Sequence, residues 1–192
     1  MHAVQTTPSP TIRISAPRTF WRWMATVTGF PLGGYAAYLI TGHVDSLRPA
    51  LLAGLITGAI LGAVQVWGLG RNRPPATSWI TATAVGMMLG LGLGSAVVDY
   101  HTSLADLVTQ GAITGLVVGI TQGLVLRRRL GRLALAWPAF LAVIWAGGWA
   151  VTTTAGIDVD LQFPIFGSSG ALMVTALTLV LPYALNRERN QS

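Results

Sequence analysis

The sequence predicts an all-α integral membrane protein: a bundle of six transmembrane helices arranged as three tandem helical hairpins about a pseudo-threefold axis. Three observations carry the prediction. The 192-residue chain is 52% hydrophobic and only 9% charged, with a mean hydropathy of +0.59, and a soluble domain of this size would carry far more charge. An apolar stretch, Gly54 to Arg73, recurs 57 residues later as Gly111 to Arg128, each copy near the roughly 20 residues a helix needs to cross a bilayer. Trp23, Trp79 and Trp137 each open the first helix of a hairpin, 56 and 58 residues apart.

Aligning the two copies matches Gly54, Gly58, Gly62 and Gln65 with Gly111, Gly115, Gly119 and Gln122. Steps of four, four and three place each set on one stripe of a helix. In lipid, helices associate by van der Waals contact, and a glycine stripe lets two backbones approach, so these six glycines are read as helix packing residues. Leu61 and Val118, beside the stripes, are expected to face lipid. Gln65 and Gln122 put amides at equal depth inside the bundle, where each must find a partner. They act either as interhelical clamps or as the polar lining of a solute path.

Taken in order, residues 1–19 form a polar Thr-, Ser- and Pro-rich tail with the composition of disorder. The transmembrane domain covers 20–186, with hairpins at about 20–73, 78–129 and 133–186, and 187–192 form a second tail. The first span, Phe20 to Gly42, opens on Phe20, Trp21, Arg22 and Trp23, which suit the headgroup boundary, and Pro31 should kink it. Span two, Ala50 to Gly70, carries the first stripe. The third, Ser78 to Val98, has Gly86, Gly90 and Gly94 at intervals of four. Leu107 to Leu126 makes the fourth and Leu133 to Gly156 the fifth. The sixth, Phe163 to Leu185, is a degenerate copy in which aligning Gly58 with Gly170 sets Val174 against Gly62 and Leu177 against Gln65.

All twelve basic residues are arginine, and eleven lie in the tails and the even-numbered loops, leaving only Arg48 elsewhere. The positive-inside rule therefore sets both termini in the cytoplasm, with the acids Asp45, Asp99, Asp106, Asp158 and Asp160 outside. A net charge of +6 does not imply nucleic acid, because the arginines flank apolar spans instead of forming a basic face. The absence of cysteine removes disulfides, thiolate metal sites and cysteine nucleophiles.

The doubled G-x-x-x-G-x-x-x-G-x-x-Q pattern followed by Leu and Arg, with tryptophan-led intervening helices, resembles a group of small multi-pass bacterial membrane proteins bearing tandem copies of such a motif. In that group tryptophan often follows the glutamine; here Val66 and Gly123 stand there, with Trp67 one place on. The resemblance spans Trp23 to Leu185. It implies a multi-pass protein of the bacterial cytoplasmic membrane and carries no activity with it.

No acid or base lies mid-span, which argues against proton-coupled carriers and ion pumps. Hydrolase, zincin and phosphate-loop motifs are absent, and Ser168 and Ser169 read as small packing residues. Arg127, Arg128 and Arg129 are candidates for lipid headgroup contact, each contributing about 1 kcal/mol near an anionic surface, or serve only as a topology signal. The external turns pair His43 with Asp45, Asp99 with His101, and Asp158 with Asp160. Converging on one axis, these six would suit a divalent metal; the plainer reading is solvated acids in arginine-poor loops. No other cofactor is implied. The reading reached is a non-enzymatic scaffold or partner subunit, in contact with the bilayer and with another membrane protein or itself. The alternative is a small transporter or channel whose path passes Gln65 and Gln122. A wet cavity reaching both amides would favour transport, and amides bonded across a dry contact the scaffold.

Overall fold

The computed structural model describes residues 16–157 and 168–189. The fold is all-α, and four segments are long and apolar enough to cross a membrane: Leu47–Asn72, Ala76–Val97, Leu104–Thr154 and Ser169–Arg187. The chain is thus built as a multi-pass membrane helical protein. Its outward surface carries large apolar side chains such as Leu39, Leu124 and Val143, as contact with lipid requires.

Helix α1 (Ala16–Met24) already begins inside the segment expected to be a disordered tail, and passes through a 3-10 stretch, Ala25–Thr28, into α2 (Gly29–Thr41). Pro31 has no N–H to offer the carbonyl four residues back, at Val27, so the departure from α geometry falls one turn before the proline. Then follow α3 (Leu47–Leu69), α4 (Ala76–Val97), α5 (Leu104–Leu130) and α6 (Trp137–Thr154). A 3-10 stretch, Gly131–Ala136, lets α6 fold back antiparallel on α5, so Leu104–Thr154 is itself a helical hairpin.

The last span is expected unbroken but divides into α7 (Ser168–Leu177) and α8 (Val180–Arg189). Pro182 cannot donate to the Thr178 carbonyl, which takes the Leu181 N–H instead at 2.9 Å. The Leu179 N–H turns to Ala176 O at 3.2 Å. That leaves the Thr175 carbonyl without its helical donor. Inside a membrane such a group needs another partner.

Helices pack in chain order, each laying small residues against the next. A Cβ on Gly33 would lie 2.9 Å from Thr57 Cα on α3, and one on Gly54 2.4 Å from the Met87 carbonyl oxygen on α4. On α4, Gly86, Gly90 and Gly94 face Val118, Thr114 and Gln110 of α5. The α5 glycines 111, 115 and 119 face Trp145, Leu141 and Pro138 of α6, and Gly148 faces Gly170 of α7. Helix α7 also touches α1 and α2, so the last helices lie against the first.

This arrangement corrects one expectation. Leu61 and Val118 do not face lipid; each is 1% exposed. Every middle helix has two neighbours, so its buried arc is wider than its glycine stripe. Leu61 meets Gly29 of α2 while the stripe beside it meets α4, and Val118 meets Gly86 of α4 while its stripe meets α6.

The helices α2, α4 and α6 each end in a residue of positive φ: Gly42 at 70°, Asp99 at 50° and Gly156 at 74°. After α4, Tyr100 N–H bonds Ser95 O at 2.9 Å and Asp99 N–H bonds Ala96 O at 3.3 Å, a Schellman closure. Ile157 and Gly156 repeat it on Thr152 and Thr153. At 99 the left-handed place is filled by aspartate, which tolerates it better than most residues, and Tyr100 follows at φ 61°.

Candidate functional site: an indole and amide layer beneath an axial cavity

The three tryptophans that open the proposed hairpins are all inside the bundle; Trp23 is 1%, Trp79 0% and Trp137 8% exposed. Only Trp21 of the opening aromatic run lies outward, at 70%. A buried indole N–H seeks an acceptor, and each of the three finds one on another helix. Trp79 Nε1 donates to Gln65 Oε1 at 3.0 Å, and Trp137 Nε1 to Gln122 Oε1 at 3.0 Å. Trp23 Nε1 donates to the Thr175 carbonyl at 2.9 Å, which the Thr178 hydroxyl also approaches at 3.1 Å, and to Thr178 Oγ1 at 3.2 Å.

Gln122 is 3% exposed, and both the oxygen and the nitrogen of its amide have a partner. Its Nε2 donates to Thr83 Oγ1 at 3.0 Å and reaches Gln65 Oε1 at 3.5 Å, the second too long to count for much. Thr83 passes the chain on, donating to Trp79 O at 2.9 Å. Gln65 is the looser of the pair: only partly buried, with the Trp79 indole as its main partner.

The void beside this layer is about 20 Å³, room for one or two waters at roughly 10–15 Å³ each. A much larger cavity of about 170 Å³ lies further along the axis, walled by α2 to α7. Its mouth is formed by Gly42, Val44, Tyr100, His101 and Thr102. Phe30, Trp145 and Val174 line both spaces and separate them; the rings of Phe30 and Trp145 stand 5.7 Å apart. Neither Gln65 nor Gln122 lines the large cavity.

The end opposite the cavity mouth is filled by Leu69, Leu126, Leu181 and Leu185. It is tied by a hydrogen bond from Asn72 Nδ2 to Asn186 Oδ1 and by Arg22, which donates to the Trp67 carbonyl and sits over its ring at 5.1 Å. Arg127, Arg128 and Arg129 project exposed from the end of α5.

Four of the six candidate metal ligands, His43, Asp45, Asp99 and His101, lie among the described residues. The His43 ring packs on Tyr38 at 5.7 Å, Asp45 accepts from Ser46 Oγ at 3.0 Å, and His101 lines the cavity mouth. Among the described residues no group of three His, Asp or Glu gathers to hold an ion. Asp158 and Asp160 lie outside the described residues, as does Gly167. Ser169 keeps a buried hydroxyl without a partner among the described residues.

Two features escaped the sequence reading. The pairing of indole with amide was present as a nearly equal offset, 14 residues from Gln65 to Trp79 and 15 from Gln122 to Trp137. In the last span the alignment was one residue off: Leu177 is exposed, while Thr178, 6% exposed, meets Trp23. A register one later, matching Gly54 to Gly167, would have set Thr178 against Gln65. No family model matches this chain, and neither curated proteins nor solved structures yield a match to it.

Proposed function

We propose that this chain is a non-enzymatic scaffold or partner subunit of a bacterial cytoplasmic membrane complex, six spans deep, with both termini in the cytoplasm. The observation that carries the reading is the engagement of both intramembrane amides in bonds to buried indoles across a nearly dry contact. Amides so held act as clamps, and a water-soluble solute finds no lining there.

The three-hairpin, pseudo-threefold arrangement is part of the proposal. It is supported by the cyclic order of the indole bonds: Trp79 reaches the helix before it, Trp137 the helix before it, and Trp23 reaches α7 of the last span. It is supported too by the positive-φ caps at 42, 99 and 156, equally spaced by 57 residues. Tandem copies of one hairpin, as in the bacterial group that the sequence resembles, would produce both patterns.

A second reading, a small transporter, is favoured by the one-ended cavity. It requires the Phe30–Trp145 contact and the amide layer to part. Reconstitution into vesicles separates the two. The scaffold reading expects no protein-dependent flux of small sugars, amino acids or ions, together with a stoichiometric partner, a second chain or another copy, in crosslinked native membranes. Flux that rises in Gln122→Ala would overturn it. Reporter fusions after Arg73 and Arg132 should be cytoplasmic, and those after Asp45 and Asp106 external; an external reporter at Arg132 would refute the topology.

A further inference from the structure

Several threonines in this protein turn their hydroxyls back on the preceding turn. Thr83, Thr109, Thr153 and Thr178 each donate to the carbonyl four residues earlier, at 2.8–3.0 Å. Thr114, like Thr175, does not. It lies mid-way along α5, is 3% exposed, and its Oγ1 has no partner among the described residues. Its backbone and methyl pack where a Cβ on Gly90 would fall, at 2.9 and 3.3 Å, so the contact with α4 helps set the rotamer. Thr114 is also a wall residue of the 170 Å³ cavity. A hydroxyl desolvated without a partner costs about 1–3 kcal/mol, and a ligand group is one way to meet that cost.

The rest of the wall limits what the ligand is. Phe30, Tyr38, Met87, Trp145 and Trp149 supply aromatic and thioether surface, and among the described residues no Asp, Glu or Arg lines the space. Burying a charged molecule there would leave its charge unpaired. Ser95 and Gln110, nearer the mouth, are bonded to each other at 3.1 Å. Gly34 faces open space, with nothing within 4 Å of an added Cβ, so the hollow is not closed by packing at that point.

We propose that this cavity is a binding site for an uncharged, mainly apolar small molecule bearing one hydroxyl or carbonyl, with Thr114 Oγ1 as its hydrogen-bond partner and the Phe30–Trp145–Val174 floor as its limit. The site stands whether the protein is a scaffold or a transporter, since it concerns occupancy and not passage.

The test uses the full chain in lipid vesicles and a diazirine-bearing octanol as photoprobe. Labelling should map to cavity residues of α2, α5 and α6 and be displaced by excess 1-octanol. Octane should displace it roughly 3- to 10-fold less well, the ratio that a single net hydrogen bond provides. Thr114→Val, which keeps the shape, should remove that preference, and Gly34→Phe should abolish cavity labelling. Gly34→Leu serves as the milder filling variant if the phenylalanine chain does not fold. Labelling confined to outward residues such as Leu39, Leu124 and Val143, or cavity labelling unchanged by either filling variant, would overturn the site. An alcohol preference that survives Thr114→Val would overturn the role of Thr114.

Discussion

The two halves of this bundle are built from the same kinds of residue and packed differently. Toward the arginine-bearing end, the indoles of Trp23, Trp79 and Trp137, the two glutamines and a plug of leucines fill the axis and leave about 20 Å³ empty. Toward the turns at 42–46 and 98–103, the same helices enclose about 170 Å³. The difference lies in what points inward. Large side chains with one polar atom, each satisfied by a neighbour, fill one half; Gly34, Ala37, Thr57 and Thr114 leave room in the other. The solid half holds the helices together, and the hollow half has space for a ligand.

The comparison breaks most severely at the glycines of the tight contacts. A Cβ on Gly119 would meet the Pro138 Cα at 2.4 Å, backbone on backbone. Gly119→Leu should therefore yield no monodisperse protein by size-exclusion chromatography in detergent, whereas Val143→Ala, at an outward position 72% exposed, should elute as wild type. Equal behaviour would mean that α5 and α6 are not in contact. Gly119→Ala should cost about 1–3 kcal/mol as an overpacking change, and Gly62→Ala less, since its nearest obstacle is the Ile80 Cα at 3.0 Å.

Next in size are the amides. Gln122→Leu strips the acceptor from Trp137 and the donor from Thr83, and should lower stability by about 1–3 kcal/mol in denaturant titrations in micelles. Gln65→Leu, at a part-exposed site with one main indole partner, should cost visibly less. If Gln65 proved the more costly, the view of Gln122 as the centre of the layer would be wrong. Thr178→Val should matter less again, below about 1 kcal/mol, because Trp23 keeps the Thr175 carbonyl at 2.9 Å. A larger loss would mean that the hydroxyl, and not the broken helix, anchors Trp23.

The smallest effect is expected in the hollow half. Gly34→Ala meets nothing within 4 Å and replaces glycine inside a helix, so thermal stability should hold or rise by up to about 1 kcal/mol. A fall of that size would show that the space is needed for packing and would remove the contrast between the halves.

How much of this was legible beforehand depends on the range of the interaction involved. Helix content, apolar spans and the small-residue faces follow from composition and from the 3.6-residue period, properties of each segment alone. That Gln65 and Gln122 need partners follows from burying an amide in lipid. Which groups answer them does not, because Trp79 and Trp137 meet the glutamines only when α4 and α6 lie antiparallel at particular registers. The last span shows this at a single residue. Leu177 and Thr178 are equal candidates by pattern, and the break ahead of Pro182, with the Thr175 carbonyl it frees, brings Thr178 to the indole. Leu61 and Val118 look lipid-facing beside their stripes, and a second neighbouring helix buries them. The cavity belongs to no single helix; it is the space six of them leave when small side chains fall at one level. Periodicity determines the faces of each helix, and only the assembled bundle decides which face meets which, because that choice is made by contacts between residues distant in the chain.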